Sequence, residues 1–234
     1  MITVSIVSHS QRDFIEILLN DLVFYENINK IIITINVPES DYEVPKQINH
    51  KVIFIRNKHK KGFGANHNSA FKLCETNFFL VLNPDIRIHN LDFIELINEF
   101  RDRRVALVAP QVVNVTGELE DNCRDFPTFF SLLKKIFIKP NVQGFDVPSN
   151  VDWVAGMFML LDVTKFRKMK GFDSNRFFMY YEDVDLCFRI KNSGYKVIFN
   201  PNVKVVHEAR RESRRKIKYM KWHLYSMFRY LTGL

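Results

Sequence analysis

Cysteine is nearly missing from this 234-residue sequence, which has only Cys74, Cys123 and Cys187. Odd in number and widely spaced, they argue against a disulfide framework or a cysteine zinc site and suit a reducing compartment. Glycine and proline are also scarce, at eight each, so collagen-like and low-complexity architectures drop out. No run approaches the roughly 18 apolar residues that a membrane-spanning helix needs. The opening MITVSIVSHS has neither a basic start nor a long apolar stretch, so it does not read as a signal peptide. These absences lead to the expectation of a soluble or peripheral protein, cytoplasmic by default.

What the chain does have is core material. Hydrophobic residues make up 47% of it, with 22 Phe, 8 Tyr and 2 Trp, enough for one sizeable domain. The formal net charge of +8 is unevenly placed. From Glu208 to Leu234, eight Lys/Arg stand against two Glu, so +6 of the +8 falls in the last 27 residues. The body is nearly neutral and the tail is basic.

Short β-branched or aromatic runs at 2–7, 31–35, 52–55, 78–82 and 105–109 predict strands. Helical spacing fills 12–24, where Phe14, Leu18 and Leu22 are four apart, and also 63–75 and 91–100. Strand and helix in alternation predict an α/β domain with a mostly parallel sheet flanked by helices. Further on, 153–161 reads as a strand and 182–192 as a helix capped at Gly194. Residues 195–199 and 203–206 read as two more strands. A segment at 129–138, FFSLLKKIFI, is apolar and basic.

Four constellations carry candidate chemistry. Asn83-Pro84-Asp85 follows the strand FFLVL, at the edge where open α/β sheets bind ligands, and a lone carboxylate there can hold Mg²⁺ or Mn²⁺. The same three residues also make an ordinary turn. GFGANHNSA at 62–70, preceded by Asn57, Lys58, Lys60 and Lys61, has small residues that let helix N–H groups approach a phosphate. His67 stands where a dinucleotide fingerprint needs its third glycine, so a plain turn before a helix is the competing reading.

In FFMYYEDVDLCFR, at 177–189, Glu182, Asp183 and Asp185 open a helix. Acids favour that position for the dipole alone, but a carboxylate kept ionised there can also take a proton from a bound alcohol. Tyr180 and Tyr181 beside it suit the apolar faces of sugar rings, or simply a core. His207 is a lone histidine, more often structural. It gains interest only if the fold brings it to Asp85, since imidazole and carboxylate together suit Mn²⁺.

In this order the pieces resemble family 2 of the glycosyltransferases, with the glycosyltransferase-A fold, and within it the rhamnosyltransferase-like branch that assembles O-antigen and other surface polysaccharides. The resemblance runs through VSIVSHS at the first strand, NKHKKGFGANHNSA at 57–70, LVLNPDIRI at 80–88 and CRDFPTFFSLLKK at 123–135. It continues through VDWVAGMFML at 151–160, the segment 171–197 and NPNVKVVHE at 200–208.

The resemblance implies one glycosyltransferase-A domain over 1–208, with a nucleotide-sugar half (1–110) and an acceptor half (111–208), followed by a basic amphipathic helix in 209–234. It also implies an inverting transfer from a UDP- or dTDP-sugar, dTDP-rhamnose among them. Asp85 would hold the divalent metal (Mg²⁺ or Mn²⁺), with Asn83 in the variant first position and His207 able to reach the metal. Asp183 would be the general base and Glu182 its neighbour. Ser8, Asn36, Asn57, Lys61 and Asn66 would hold the nucleotide, and Trp153 and Gly156 would line the sugar and acceptor site.

This chain departs from the family at three points. Ile35 and Asn36 stand where the family has Asp-Asn to meet the base, leaving Glu39 or Asp41 as substitutes and the choice of uridine or deoxythymidine open. Asn83 replaces an acid, which weakens the expected metal site. Lys170 stands where a Gly-Gly-Phe-Asp segment begins.

Residues 212–231 predict a helix with Ile217, Met220, Leu224, Met227 and Leu231 on one side and most Lys/Arg on the other. That pattern suits an anionic membrane surface, at which a lipid-linked or oligosaccharide acceptor would be met at the inner face of the membrane. It equally suits a charged face on a helix packed against the domain. Rival readings are a basic nucleic-acid-binding protein, a sugar nucleotidyltransferase of the same fold, and a scaffold that binds nucleotide sugar without turnover. No nucleic-acid motif is present, so nucleic acid is not among the expected partners.

Overall fold

The computed structural model describes residues 1–128, 144–208 and 217–233. Its strands are β1 (Ile2–Ser8), β2 (Ile28–Ile35), β3 (Val52–Arg56), β4 (Phe78–Leu82), β5 (Ile86–Arg87), β6 (Val105–Asn114), β7 (Cys123–Arg124), β8 (Ser149–Asn150), β9 (Trp153–Val154), β10 (Phe158–Asp162) and β11 (Lys196–His207). The helices are α1 (Arg12–Leu22), α2 (Phe63–Phe71), α3 (Phe93–Asn98), α4 (Val163–Lys168), α5 (Glu182–Asn192) and α6 (Ile217–Thr232). The segment FFSLLKKIFI and residues 212–216 lie outside the described residues.

The main sheet runs β3-β2-β1-β4-β10-β6-β11-β5, with β8 also pairing β11. Pairs β1/β2, β2/β3, β1/β4 and β6/β11 are parallel, while β10 is antiparallel to both neighbours. Helices cover both faces, which explains why the central strands read as continuous apolar runs. Alternation sorts their side chains: Leu80 and Leu82 of β4 join α1 and α3 in one core, and Phe79 and Val81 join α2, α4 and α5 in the other. Ser5 of β1 meets His67 Nδ1 of α2 at 2.8 Å in the interior. Burial pushes this imidazole down to about 3, so it stays neutral and structural.

Several boundaries differ from the sequence expectation, and three of them have a local reason. α2 ends at Phe71 because Leu73 and Cys74 donate to the carbonyls of Ala70 and Phe71, tightening the last turn. The run 153–161 splits: Trp153 and Val154 pair with Arg124 and Cys123 in a separate two-stranded sheet, while β10 joins β4 and β6. Residues 155–157 turn between them. The strands expected at 195–199 and 203–206 form one strand whose register shifts between Asn200 and Lys204, around a proline that cannot donate.

α6 packs on the body. Ser226 Oγ donates to the Met179 carbonyl at 2.8 Å, Arg176 Nη2 donates to the Arg229 carbonyl at 2.9 Å, and Met227 and Tyr230 pack against Phe177, Tyr181 and Val184.

The glycines at the start of α2 serve close packing. A Cβ on Gly62 would lie 2.2 Å from the backbone oxygen of Phe178, and one on Gly64 would lie 2.6 Å from Phe172 Cβ. The Phe63 N–H already donates to the Phe178 carbonyl at 3.0 Å. The glycines thus have a packing reason beside the expected phosphate approach: α2 lies beneath the chain that leads into α5. Gly62→Ala must push that backbone away, so we expect a loss of roughly 1–3 kcal/mol in chemical denaturation, with Gly117→Ala, whose site is open but strained, as the comparison.

Candidate active site

The carboxyl ends of the parallel strands form one edge, and most of the expected residues lie along it. Ser8 ends β1, and its carbonyl accepts from the Asn36 N–H at 3.1 Å, just past β2. Asn57 follows β3 and donates its N–H to the Ile35 carbonyl at 3.0 Å. The side-chain amides are largely used inside the protein. Asn57 Nδ2 donates to Asn36 Oδ1 (2.9 Å) and Asn66 Oδ1 (2.7 Å), and Asn36 Nδ2 donates to the Lys61 carbonyl (2.9 Å). Ser8 Oγ accepts from the Gln11 N–H. These residues fix the shape of the 57–62 loop, which carries Lys58, Lys60 and Lys61.

Of the two acids that could stand in beyond β2, Asp41 is exposed and paired with Arg56 at 2.5 Å. Both Glu39 carboxylate oxygens are shielded from solvent, beside the Tyr42 phenol and Ser8.

β4 ends at Leu82, and the next residues turn sharply, with Ile86 N–H donating to the Asn83 carbonyl at 3.2 Å. Asp85 is held there through its own carbonyl, which accepts from Glu208 N–H at 2.8 Å. The antiparallel pairing of β5 with β11 sets His207 opposite Ile86 and brings Nε2 to 3.4 Å from Asp85 Oδ2. The fold therefore does unite the two residues. His207 Nδ1 meets Glu120 Oε2 at 2.7 Å on the other side of the ring. Burial alone would lower this imidazole, but the two carboxylates outweigh it and hold the pKa at about 9.

Asp85 Oδ1 is buried with no hydrogen-bond partner. An orphaned carboxylate oxygen is a fitting donor for Mn²⁺ or Mg²⁺, and the imidazole would join it on giving up its Nε2 proton to the solvent. Among the described residues no group of three or more His, Cys, Asp or Glu could hold a metal, so further ligands would come from a bound diphosphate and water.

Glu182 and Asp183 form the first turn of α5, which opens from Tyr180 and Tyr181, two consecutive residues at φ 69° and 67°. Asp183 Oδ2 accepts from the Gly156 N–H at 3.0 Å, and Oδ1 from the Val184 N–H at 2.8 Å. Neither carboxyl behaves as the helix-start argument expects. Burial pushes Glu182 well above the usual carboxylate range, and repulsion from Asp183 adds to it. Burial also raises Asp183, with the N–H groups of Val184 and Gly156 and the charge of Arg124 pulling back. Desolvation outweighs the helix dipole here. Repulsion between the two neighbours makes it costly for both to be charged at once.

A cavity of about 560 Å³ opens over these residues. Gly156, Trp153, Tyr180, Tyr181, Glu182, Asp183 and Asn83 all line it, so part of the strand-end motif and the helix-start motif share one space. The residues that bracket it are tied through the 155–157 turn: Asn83 N–H donates to the Met157 carbonyl at 2.9 Å, one residue from the Gly156–Asp183 bond. Ser8, Asn36, Asn57, Lys61 and Asn66 do not line this cavity.

Sequence reading missed three residues. Glu120, in the acidic run GELED, orients His207. Arg124 lines the cavity, pairs with Asp121 at 2.7 Å and lies over the Trp153 ring. It stood inside the quoted segment CRDFP but no pattern singled it out. His223 of α6 also lines the cavity, in edge contact with Tyr180 and Tyr181. The amphipathic pattern gave it no role.

Comparison with known proteins agrees with this architecture. The family described as "Glycosyl transferase family 2" matches residues 3–161. "Rhamnosyltransferase WbbL" of Escherichia coli (strain K12) is 31% identical over 249 aligned positions, covering 99% of this chain and 93% of that protein. "N-acetylglucosaminyl-diphospho-decaprenol L-rhamnosyltransferase" of Mycobacterium tuberculosis (strain ATCC 25618 / H37Rv) is 39% identical over 57 residues, 24% of this chain and 18% of that one. Among solved structures, "GalNAc-T7 with UDP, GalNAc and Mn2+" superposes with a TM-score of 0.69 at 14% identity, over 91% of this chain and 44% of its own. That likeness establishes the shared fold.

A raised carboxyl pKa in the folded state has a definite sign. The stability it contributes is present below the ordinary carboxylate range and is lost as pH rises through the folded value. Glu182→Gln removes the buried charge, so its melting temperature should change less than that of the wild type between pH 5 and pH 8. Each kcal/mol relieved is worth about 2–4 °C for a chain of this size, and calorimetry of the two proteins side by side checks it.

Proposed function

The chain belongs to glycosyl transferase family 2, and on that footing we propose that it moves a sugar from a nucleoside-diphosphate donor to a hydroxyl of a saccharide acceptor, with inversion at the anomeric carbon. Asp183 carries the proposal. Its Oδ2 is held by the Gly156 N–H on the wall of the cavity, next to the buried Glu182.

In this reading the acceptor hydroxyl gives its proton to the Asp183 carboxylate as its oxygen bonds to the anomeric carbon. The bond from that carbon to the diphosphate oxygen breaks on the opposite face, and the nucleoside diphosphate leaves with the electron pair. Trp153, Tyr180 and Tyr181 offer aromatic faces to the sugar rings. Burial pushes the Glu182 carboxyl well above the usual range, which favours its neutral form beside Asp183.

Asp85 and His207 are the residues that would hold a divalent metal. Bound there, the ion would supply charge for the departing diphosphate. Glu120 accepts from His207 and would fix the ring for that task, as carboxylate partners do at metal-bound histidines. Ser8, Asn36, Asn57, Asn66 and Lys61 shape the loop at the nucleotide end. Arg56 takes up Asp41, which leaves Glu39, beside the Tyr42 phenol, as the acid to face the base.

The rhamnosyltransferase names of two relatives favour a dTDP-rhamnose donor. A lipid-linked or growing saccharide acceptor at the inner face of a cell membrane suits the basic tail, and among the described residues no helix is long and apolar enough to cross a membrane. Residues 1–208 would act as the catalytic unit, with 1–110 serving the donor and 111–208 the acceptor.

Nucleotide release from a panel of UDP- and dTDP-sugars, with Mg²⁺ or Mn²⁺ and a lipid-diphosphate saccharide, tests the proposal. Asp183→Asn should retain donor binding and lose about 10²–10⁴-fold in kcat. Equal turnover in that variant would remove Asp183 as the base. The acid limb of the wild-type kcat profile should lie above the ordinary aspartate range, because burial raises this carboxyl. Glu120→Gln should weaken metal affinity about 10–100-fold in a metal titration while leaving donor specificity unchanged.

A further inference from the structure

α6 is two-sided. Ser226, Met227 and Tyr230 pack against the body, and His223 reaches the cavity wall. A flank of the helix, about 100° round from these residues, leaves Met220, Leu224 and Phe228 exposed by 59%, 51% and 56%. Spaced four apart, they form one apolar stripe along the helix. The sequence expectation had drawn the apolar side through Ile217, Met220, Leu224, Met227 and Leu231. Met227 instead turns inward, Phe228 joins the outer stripe, and the Ile217 side chain lies outside what the structure describes.

An exposed apolar stripe on a soluble helix marks a contact surface. Its setting selects the occupant. The last 27 residues carry eight Lys/Arg against two Glu. Copies of a chain with so basic a segment repel one another, whereas an anionic lipid surface attracts it. Apolar side chains on one face of a helix within a strongly basic segment are the pattern of a helix lying in the interface plane.

We propose that α6 seats the protein on an anionic lipid surface through Met220, Leu224 and Phe228, while its inner side, through His223, forms part of the acceptor cavity. Docking and acceptor capture are then events on two faces of one helix, and a lipid-linked acceptor enters beside the element that holds the protein to its membrane. The second half of this statement rests on the cavity being the acceptor site. The first half does not.

The test uses the full-length chain, with no donor or acceptor, in flotation with vesicles of phosphatidylcholine alone and of phosphatidylcholine mixed with phosphatidylglycerol. Wild type should bind the mixed vesicles, less so as salt rises. The triple variant Met220→Gln, Leu224→Gln, Phe228→Gln should lose at least tenfold in partitioning, while Ile94→Gln, an exposed apolar residue elsewhere, should not. Circular dichroism and melting confirm that each variant is folded.

With a water-soluble short-chain acceptor the triple variant should match wild-type kcat, and with an acceptor embedded in the mixed vesicles it should fall with vesicle binding. Unchanged flotation of the triple variant would overturn the lipid contact. So would a wild-type dimer that the same substitutions dissociate, which would assign the stripe to a second copy. If flotation behaves as expected but no donor turns over, the lipid contact stands and the transferase proposal fails.

Discussion

The hydrogen bond from the Gly156 N–H to Asp183 joins the turn before β10 to the first turn of α5. One residue further on, the Met157 carbonyl accepts from Asn83 at the end of β4. Three remote stretches of chain thus meet at a turn of three residues, and the distance between the strand edge and the buried acids follows from it. A side chain at 156 would crowd the Phe63 ring, whose atoms already lie 3.2–3.3 Å from where a Cβ would sit. A Cβ there would need the Phe63 ring to give by a few tenths of an ångström, and it would lie 3.7 Å from the Asp183 Cβ.

Around that link the protein accepts unfavourable terms. Two adjacent carboxyls are taken out of water, one Glu182 oxygen has no partner, and two tyrosines in succession hold left-handed backbone. None of these would persist in a segment free to relax. They persist because α2 packs beneath through Gly62 and Gly64 while α6 covers from above through Ser226 and Met227. The C-terminal helix is therefore a structural wall of the site.

Much of this could be read from the residues. The strand cores were legible because β-branched runs bounded by turns are distinctive, and Phe78–Leu82 fell within its expected limits. The pairing of His207 with Asp85 could be stated only as a condition, since a contact across more than 100 residues depends on which edge of β6 receives β11. Glu120 was invisible for the same reason: an acid in an exposed-looking run acquires meaning only when a ring nitrogen is set against it. The pKa directions were misjudged because a helix start predicts stabilised anions, and sequence carries no measure of how completely the first turn is buried. The packing role of the glycines at 62 and 64 was not legible because a phosphate approach, a turn and close packing all call for the same residue.

The strand order carries a consequence for how the molecule comes into being. β4 and β6 are separated in the sheet by β10, and β6 meets β11 on its other side. During synthesis the apolar edges of β4 and β6 therefore remain unpaired until more than 150 residues have been made, and β6 waits longer still for a second neighbour. A nascent chain halted before residue 196 would lack β11, and with it both the complete sheet and His207 beside Asp85. Ribosome-bound intermediates of this protein are thus obliged to shelter open strand edges, and the same late insertion that completes the sheet completes the site.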